Sequence, residues 1–268
     1  MASATHLLLL PSYNTGPRLA AVVAEALACW QPVMVVIDGS DDGSDADILA
    51  LARREPDLTV LRLPRNAGKG AAVLAGAAEA AARGFTHALV MDADGQHPAD
   101  RIRDFMEYSR QRPEALVLGR PVFGPDVPLE RLYFRKLSVA LVWLSILGAG
   151  IPDPLYGFRV YPLRPLLEAL GRTRGGRRYD FDTEAAVRLV WGGTPPHSLP
   201  APVRYFTPAQ GGVSHFRYLR DNLRLGAMHC RLFAELVRRW PGVVRARRHW
   251  AAGIPAPADA ALVSDAAR

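Results

Sequence analysis

Cysteine, lysine and long apolar runs are all scarce in this chain of 268 residues. The two cysteines, Cys29 and Cys230, lie far apart and match no metal-ligand spacing. This excludes a disulfide framework and favours a reducing compartment. The longest apolar stretch, 137–151, is shorter than the roughly 20 residues of a spanning helix. Because no basic stretch precedes the short apolar run near the N-terminus, we expect neither an export signal nor a transmembrane segment. We expect a cytoplasmic protein.

Composition and charge narrow the class of protein further. With 49% hydrophobic and 22% charged residues, the chain is typical of a globular protein rather than a disordered, collagen-like or coiled-coil one. Residues 1–100 hold 7 basic and 12 acidic residues, and the remainder holds 26 and 14. An acidic first part indicates a metal or base site, and a basic second part indicates phosphate, nucleic acid or an anionic membrane. Because the basic part lacks interleaved aromatic residues, we expect no nucleic-acid binding.

The first 120 residues alternate apolar runs with helical patterns, which predicts an α/β fold with a mostly parallel sheet between helices. The predicted strands are Leu7–Leu10, Val33–Ile37, Thr59–Leu63, Ala88–Met91 and Leu116–Leu118. The predicted helices are Arg18–Cys29, Asp45–Arg54, Gly70–Arg83 and Pro98–Arg112. Ligands of such sheets bind at the carboxyl ends of the strands.

The pattern is less regular after residue 120. It predicts helices over Leu129–Gly148 and Phe181–Val190, loop and strand over 151–165, a strand at Val203–Phe206, and a loop at 207–215. A long Arg-rich amphipathic helix is predicted over Phe216–Trp240, ended by Pro241. We accordingly divide the chain into a domain over 1–215, a helical extension over 216–250 and a disordered tail over 251–268.

Polar segments follow four of the predicted strands. The sharpest is Asp92-Ala93-Asp94-Gly95-Gln96, because two carboxylates and an amide supply oxygen ligands for Mg²⁺ or Mn²⁺. The same Asp-x-Asp spacing is also common in helix caps, so the segment alone leaves both interpretations open.

Two further residues near predicted strand ends, Asp38 and Lys69, each allow two interpretations. Asp38 ends a predicted strand and could accept a hydrogen bond from a base, or it could belong to an Asp- and Gly-rich turn. Lys69, in the segment 66–70, could meet a phosphate at a helix N-terminus or be solvated.

Together, the segments PSYN, DGSDDGS, NAGKGAAVLAGAAEA and ALVMDADGQHP resemble the nucleotide-sugar half of family 2 glycosyltransferases of the GT-A fold, a Rossmann-like fold. The nearest subgroup is the dolichyl-phosphate mannose synthase-like enzymes, with weaker similarity through the D-x-x-x-GFR loop at 153–159, Phe181–Glu184 and Gly211–His215. The resemblance implies a metal-dependent inverting hexosyltransferase that uses a UDP- or GDP-sugar.

The resemblance also implies roles for individual residues. The nucleoside would be held by Pro11, Tyr13, Val36 and Asp38. Asp92 and Ala93 would lie beside the ribose and diphosphate, and Asp94 would bind the metal with Gln96, Asp92 contributing. Arg120 and Arg135 match positions that contact phosphates.

Two positions depart from the subgroup's pattern. Thr15 stands where the subgroup has Glu, which leaves the nucleotide open. His215 stands in a loop that has lost two basic positions, which leaves open whether the lipid is a polyprenyl phosphate. We expect a lipid or lipid-phosphate acceptor at the membrane surface, and a saccharide or small-molecule acceptor is the alternative.

The catalytic candidates are all carboxylates. Asp94 would act through the metal, and Asp153, Asp182 or Glu184 could serve as the base that activates an acceptor hydroxyl, or each could be a cap or ion-pair partner. An acceptor that is already a phosphate needs no base.

The segment 217–248 has nine Arg, two acids and a set of apolar side chains. It could lie on an anionic bilayer, at the inner face of the cytoplasmic membrane, or pack on the domain with a solvated Arg face. The apolar set is Phe216, Leu219, Leu223, Leu225, Met228, Leu232, Phe233, Leu236 and Val237. A nucleotidyltransferase and a degenerate transferase that serves as a membrane scaffold are the rival interpretations of the whole chain.

Overall fold

The computed structural model describes residues 2–123, 129–148, 150–204 and 218–253. The strands are β1 (His6–Ser12), β2 (Val33–Asp38), β3 (Leu58–Leu63), β4 (His87–Val90), β5 (Leu116–Val122), β6 (Arg159–Pro162) and β7 (Pro196–Pro202). The helices are α1 (Arg18–Cys29), α2 (Ser44–Ala52), α3 (Lys69–Ala82), α4 (Ile102–Gln111), α5 (Leu129–Ser145), α6 (Leu163–Gly171), α7 (Phe181–Trp191) and α8 (Tyr218–Gly253). A short 3-10 helix, Ala99–Arg101, precedes α4.

The described strands form one mixed sheet in the order β3-β2-β1-β4-β6-β5-β7. Only β6 runs antiparallel to its neighbours β4 and β5; the other pairs are parallel. The carboxyl ends of β1, β2, β4 and β5 therefore share one edge with the start of β6. That edge collects the polar segments that follow the strands.

The core has two parts, one on each face of the sheet, because neighbouring residues of each strand point to opposite faces. Leu7 and Leu9 pack toward α3, α6 and α7, whereas Leu8 and Leu10 pack toward α1 and α4. Burial on both faces explains why the strands read as continuous apolar runs rather than as alternating ones.

Most predicted elements of the first 120 residues are confirmed to within a few residues, and the later ones less so. The strand predicted at Val203–Phe206 is wrong in position, since β7 ends at Pro202. Residues 205 and 206, the predicted loop at 207–215 and the tail from 254 onward lie outside the described residues. Helix α6 was not predicted.

Helix α8 does not end at Pro241 but continues to Gly253. A proline inside a helix costs about 3 kcal/mol, because it removes a hydrogen bond and crowds the preceding turn. Burial of Val243 beyond the proline and of Leu236 before it holds the helix to the domain on both sides and offsets this cost.

The position of α8 shows which of its apolar side chains pack on the domain and which are left exposed. Met228, Leu232 and Leu236 belong to the core, so this part of the predicted apolar face packs on the domain. Leu223 and Val237 instead stay exposed. Within the described residues, no helix is both long enough and apolar enough to cross a bilayer.

Candidate active site

The loops after β1 and β2 are tied together by side chains. Asn14 donates to the Asp41 carboxylate at 2.7 Å and accepts from the Asp41 amide at 3.0 Å, and the Gly16 amide donates to Asp42 at 2.9 Å. The hydroxyl of Thr15 lies 2.9 Å from that of Ser12, and both residues are buried. The loops that would hold a nucleoside are thus preformed.

The predicted nucleoside contacts Pro11, Tyr13 and Val36 all lie near this strand end, since Pro11 and Val36 are paired in neighbouring strands. Pro11 lies within β1 and is buried, and half-buried Tyr13 follows the strand. Val36 is fully buried in β2, and its side chain faces α3, where a Cβ added at Gly76 would lie 2.8 Å from it. The alternation of side chains along β2 directs Val36 to the core, so its side chain is not brought to the site.

Asp38, at the end of β2, organises the loop that leads into α3. Its two carboxylate oxygens accept from the Ala67 and Gly68 amides, each at 2.8 Å. Gly68 has φ of 102°, a conformation that favours glycine. Asp38 therefore holds the backbone just before the N-terminus of α3.

A buried ammonium joins two carboxylates at the centre of this edge. Lys69 Nζ lies 2.7 Å from Asp92 Oδ1 and 2.8 Å from Asp182 Oδ2. Burial alone would lower the pKa of Lys69, but the two carboxylates raise it above its usual value. Burial likewise opposes ionisation of Asp92, and Lys69 nevertheless lowers the pKa of that carboxyl. Lys69 and Asp92 are therefore both charged at neutral pH.

His97 lies against Asp92 and contacts both its backbone and its side chain. Its ring accepts a hydrogen bond from the Asp92 amide at Nδ1, 2.9 Å away, so we assign the proton to Nε2, which lies 3.8 Å from the Asp92 carboxylate. Burial lowers the pKa of His97 and keeps the ring neutral. The edge of the ring packs on Tyr156, 4.8 Å between centroids.

Asp94 and Gln96 lie beside this cluster. The Asp94 carboxylate accepts a hydrogen bond from the backbone amide of Gln96 at 2.9 Å. Ala93, between the two aspartates, is buried. Burial, and next the negative charge of Asp92, raise the pKa of Asp94. A cation between the two aspartates would relieve that repulsion, so the donor set fits a divalent ion.

No group of three His, Cys, Asp or Glu in the described part of the chain is placed to enclose a metal ion. An ion held by Asp92 and Asp94 would take its other oxygens from Gln96, water and a substrate diphosphate. Mg²⁺ sites in proteins commonly have this composition.

The loop between α5 and β6 reaches the same edge through Arg159, whose side chain is fully buried. Its guanidinium donates to the carbonyls of Tyr156 at 2.7 Å and Pro154 at 2.8 Å, and to the carbonyl of Asp182. One side chain thereby fixes the loop and the start of α7 together.

Gly157 is the residue of this loop that lies close to Lys69, Asp182 and Asp92 at once. A Cβ added there would lie 2.6 Å from Lys69 Nζ, 3.3 Å from Asp182 Oδ1 and 3.4 Å from Asp92 Oδ2. A side chain at this position would have to displace the Lys69 ammonium from its two carboxylates, so glycine fits a loop that lies this close to the three charged groups.

Asp153 opens the loop and is engaged on both oxygens. It forms an ion pair with Arg135 of α5 and accepts from the Leu155 amide at 2.8 Å. Arg120 lies at the carboxyl end of β5, on the same edge. His215 lies outside the described residues, so its predicted role stays a prediction.

Asp182 and Glu184, both predicted as possible bases, have different surroundings. Asp182 Oδ1 is buried and has no hydrogen-bond partner among the residues that the structure describes, and Oδ2 accepts from Lys69. Glu184 is fully buried and accepts from Arg188 at 2.8 Å and Arg231 at 2.5 Å. The structure does not bring Glu184 close to Lys69. Glu184 follows Asp182 by two residues on α7, so its side chain points to the other side of the helix, toward α8.

These side chains gather at the carboxyl ends of the parallel strands, and one comparison decides the family. The sequence profile described as "Glycosyl transferase family 2" matches residues 8–153, more than half of the chain. This chain belongs to glycosyl transferase family 2. It is therefore a glycosyltransferase, and the resemblance found in its motifs is confirmed.

Two relatives place the chain within the family. It is 31% identical to a polyprenol monophosphomannose synthase of Mycolicibacterium smegmatis over 78% of this chain and 79% of that protein. It is 30% identical to a dolichyl-phosphate beta-glucosyltransferase of Trichomonas vaginalis over 67% of this chain and 59% of that one. The subgroup inferred from the DAD-x-QHP motif thus matches these relatives.

Solved structures confirm the GT-A fold. A mannosyltransferase from Pyrobaculum calidifontis in complex with GDP-Man and Mn²⁺ superposes with a TM-score of 0.58 at 19% identity, over 99% of this chain and 82% of that one. A glucosyl-3-phosphoglycerate synthase from Mycobacterium tuberculosis superposes with a TM-score of 0.57 at 19% identity, over 95% and 82%.

Three residues at the site were missed as individuals by the sequence analysis: His97, Gly157 and Arg159. All three fall inside motifs that were noticed, DADGQHP and GFR. Nothing in the sequence indicated that Lys69 pairs with Asp182, because 113 positions separate them.

Proposed function

We propose that this glycosyltransferase moves a sugar from a UDP- or GDP-sugar to a lipid phosphate of the polyprenyl type, at the cytoplasmic face of a membrane. The observation that carries the proposal is the meeting of two segments at one edge of the sheet. Asp92 and Asp94 follow β4, and the Asp153–Arg159 loop lies against Asp92 through Gly157. The names of the relatives support a lipid phosphate as the acceptor.

The donor would lie across the carboxyl ends of β1, β2 and β4. Its nucleoside would contact Pro11, Tyr13 and the loop held by Asp38, with Thr15 near the base. Its ribose and diphosphate would lie beside Asp92 and Ala93. Asp94, Asp92 and Gln96 would hold Mg²⁺ or Mn²⁺, which when bound neutralises the charge that develops on the departing diphosphate.

Basic side chains would receive the phosphates. Arg120 and Arg135 lie at the end of β5 and on α5, where an acceptor phosphate approaching the loop would meet them. The acceptor oxygen attacks the anomeric carbon while the bond to the diphosphate breaks on the opposite side, which inverts the configuration. A phosphate oxygen is already anionic at neutral pH, so this reaction needs no general base.

A second candidate function, transfer to a hydroxyl acceptor, is favoured by one observation. Asp182 Oδ1 is buried, lies beside Lys69 and Asp92, and has no hydrogen-bond partner in the described part of the chain. A hydroxyl acceptor needs a base, and Asp182 has a carboxylate oxygen to offer, whereas both oxygens of Asp153 are engaged. Asp182 is therefore the base we propose for that reaction.

Transfer assays in detergent distinguish a phosphate acceptor from a hydroxyl acceptor. Labelled GDP-mannose and UDP-glucose are each offered with polyprenyl phosphate or polyprenol, and the label is extracted into organic solvent. We expect label only with the phosphate acceptor, and at least a hundredfold less with Asp94→Asn. The matched control is Asp104→Asn, at a half-exposed carboxylate on α4, which should retain full activity.

Label transferred to polyprenol but not to its phosphate would replace the first candidate with the second. Absence of transfer from either donor to either lipid would contradict both lipid acceptors.

A further inference from the structure

Exposed apolar side chains of the described residues are confined to one region. Every large hydrophobic side chain that is exposed in the described part belongs to the end of β5, to α5 or to α8. We call this set the α5–α8 surface; it comprises Val122, Leu137, Trp143, Leu144, Leu223, Val237 and Trp240. Val237 is 77% exposed and Trp143 54%. Scattered exposed leucines need no explanation, but two tryptophans and their neighbours on two packed helices do.

Helix α8 presents a stripe of residues opposite its core face. The stripe follows the spacing i, i+4, i+7, i+11, i+14, i+18, and each member is exposed: Leu223, Ala227, Cys230, Ala234, Val237 and Pro241. These positions lie half a turn away from Met228, Leu232 and Leu236, which pack in the core. The helix is thus anchored on one side and presents Leu223 and Val237 on the other.

Cations line this outward stripe. Arg238, Arg245 and Arg248 are exposed, and none forms an ion pair with any residue that the structure describes. Arg231 and Arg239, by contrast, are paired with Glu184 and Glu235. Apolar side chains beside unpaired arginines complement a surface that offers both hydrocarbon and negative charge.

Helix α5 links the α5–α8 surface to the candidate active site. Helix α5 carries Arg135, which pairs with Asp153 of the loop over the site, and two turns later Trp143 and Leu144. Beyond its end, Arg247 of α8 lies against Gly148, where an added Cβ would be 2.7 Å from the guanidinium. Trp240 precedes Arg247 by two helical turns and lies on the same side of α8.

We infer that the α5–α8 surface docks on an anionic phospholipid bilayer, with Trp143, Leu144 and Val237 entering the interface and Arg238, Arg245 and Arg248 meeting lipid phosphates. This deepens the proposed function, because it rests on a lipid acceptor and names the surface through which the enzyme meets it. A second copy of the chain is a poor occupant, since a twofold contact would place the same arginines against each other.

Co-sedimentation of the whole protein with vesicles tests the inference. The vesicles contain either phosphatidylcholine alone or a mixture with phosphatidylglycerol, and neither contains any acceptor lipid. We expect binding to the anionic vesicles only, weakened by salt. The pair Arg238→Glu and Arg245→Glu should lower the apparent partition coefficient about thirtyfold or more, since each basic residue near such a surface contributes about fivefold.

The matched control is Arg53→Glu with Arg54→Glu, an equal change of charge at exposed residues by the end of α2. It should bind nearly as well as the unchanged protein. Replacement of Trp143 and Leu144 by serine tests the apolar part separately, and should weaken binding to anionic vesicles at high salt.

Four results would overturn the inference: no vesicle binding, equal binding to neutral and anionic vesicles, equal loss in the α2 control, or a dimer by light scattering that the α8 charge reversal dissociates. The last would assign the surface to a second copy. Nucleotide binding measured on the same samples reports the active site separately. Failure of docking with intact nucleotide binding therefore rejects this surface and not the transferase.

Discussion

The ammonium of Lys69 bridges two carboxylates from distant parts of the chain, 2.7 Å from Asp92 and 2.8 Å from Asp182. Asp92 follows β4, where we propose that the donor binds, and Asp182 lies in the first turn of α7. The bridge holds these two segments together, so Lys69 has a structural role in addition to any contact with a phosphate.

Replacement of Lys69 by methionine should lower the free energy of unfolding by about 3 kcal/mol, because two buried carboxylates lose their shared cation. Urea denaturation measures the change. Adding Asp182→Asn to Lys69→Met should recover part of the loss, since it removes one of the two uncompensated charges. Strictly additive losses in the double variant would show that the bridge contributes nothing.

Gly157→Ala should reduce the rate of sugar transfer at least tenfold, because a Cβ there would lie 2.6 Å from Lys69 Nζ and displace the loop or the cation. Steady-state kinetics with both substrates measures the effect. Gly171→Ala is the matched control: this glycine ends α6 with no atom within 4 Å of an added Cβ. Equal rates in the two variants would argue against close packing of the loop over the cluster.

Stability should fall as the pH falls from 7 to 5. Burial, then the charges of His87 and Arg110, lower the pKa of His6 to about 3, and burial also lowers the pKa of the stacked His87. The unfolded chain binds a proton near pH 6.5 and the folded chain does not. His6 alone therefore costs about 2 kcal/mol of stability at pH 5.

Urea denaturation at several pH values measures this slope. His6→Gln should flatten it by about that amount, whereas a slope unchanged by the substitution would place the pH dependence elsewhere.

Glu184→Gln separates a structural role from catalysis. Glu184 neutralises Arg188 and Arg231 in the contact between α7 and α8, so its loss should lower the free energy of unfolding by about 3 kcal/mol. The turnover number per folded molecule should stay within a few-fold of the original. A thousandfold loss of turnover with unchanged stability would restore Glu184 as a base.

The sequence predicted the first half of the fold well, because each strand is a short apolar run followed by polar turn residues. Asp92 and Asp94 were placed correctly at a strand end for the same reason. The predicted helix end at Pro241 was wrong, because helix propensity depends only on neighbouring residues. The helix continues because Val243, beyond the proline, is buried against the domain, and a local pattern does not show this. Val36 was assigned to the site from resemblance, while the alternation along β2 directs it to the core.

Contacts between distant segments were beyond the reach of sequence patterns. The pairing of Lys69 with Asp182 depends on how α7 meets α3, and the exposed stripe of α8 depends on which face the domain covers. Sequence showed an amphipathic helix with several leucines, and only packing decided that Met228 lies inside and Leu223 outside.

The most direct test of the account is calorimetric titration of UDP and GDP, with Mn²⁺ and with chelator, on the unchanged protein and on Asp94→Asn. The account predicts that one nucleotide binds only when the metal is present, and that the substitution abolishes this binding. Tight binding that persists in chelator and in Asp94→Asn, or no binding of either nucleotide, would contradict a metal-assisted donor site at the end of β4.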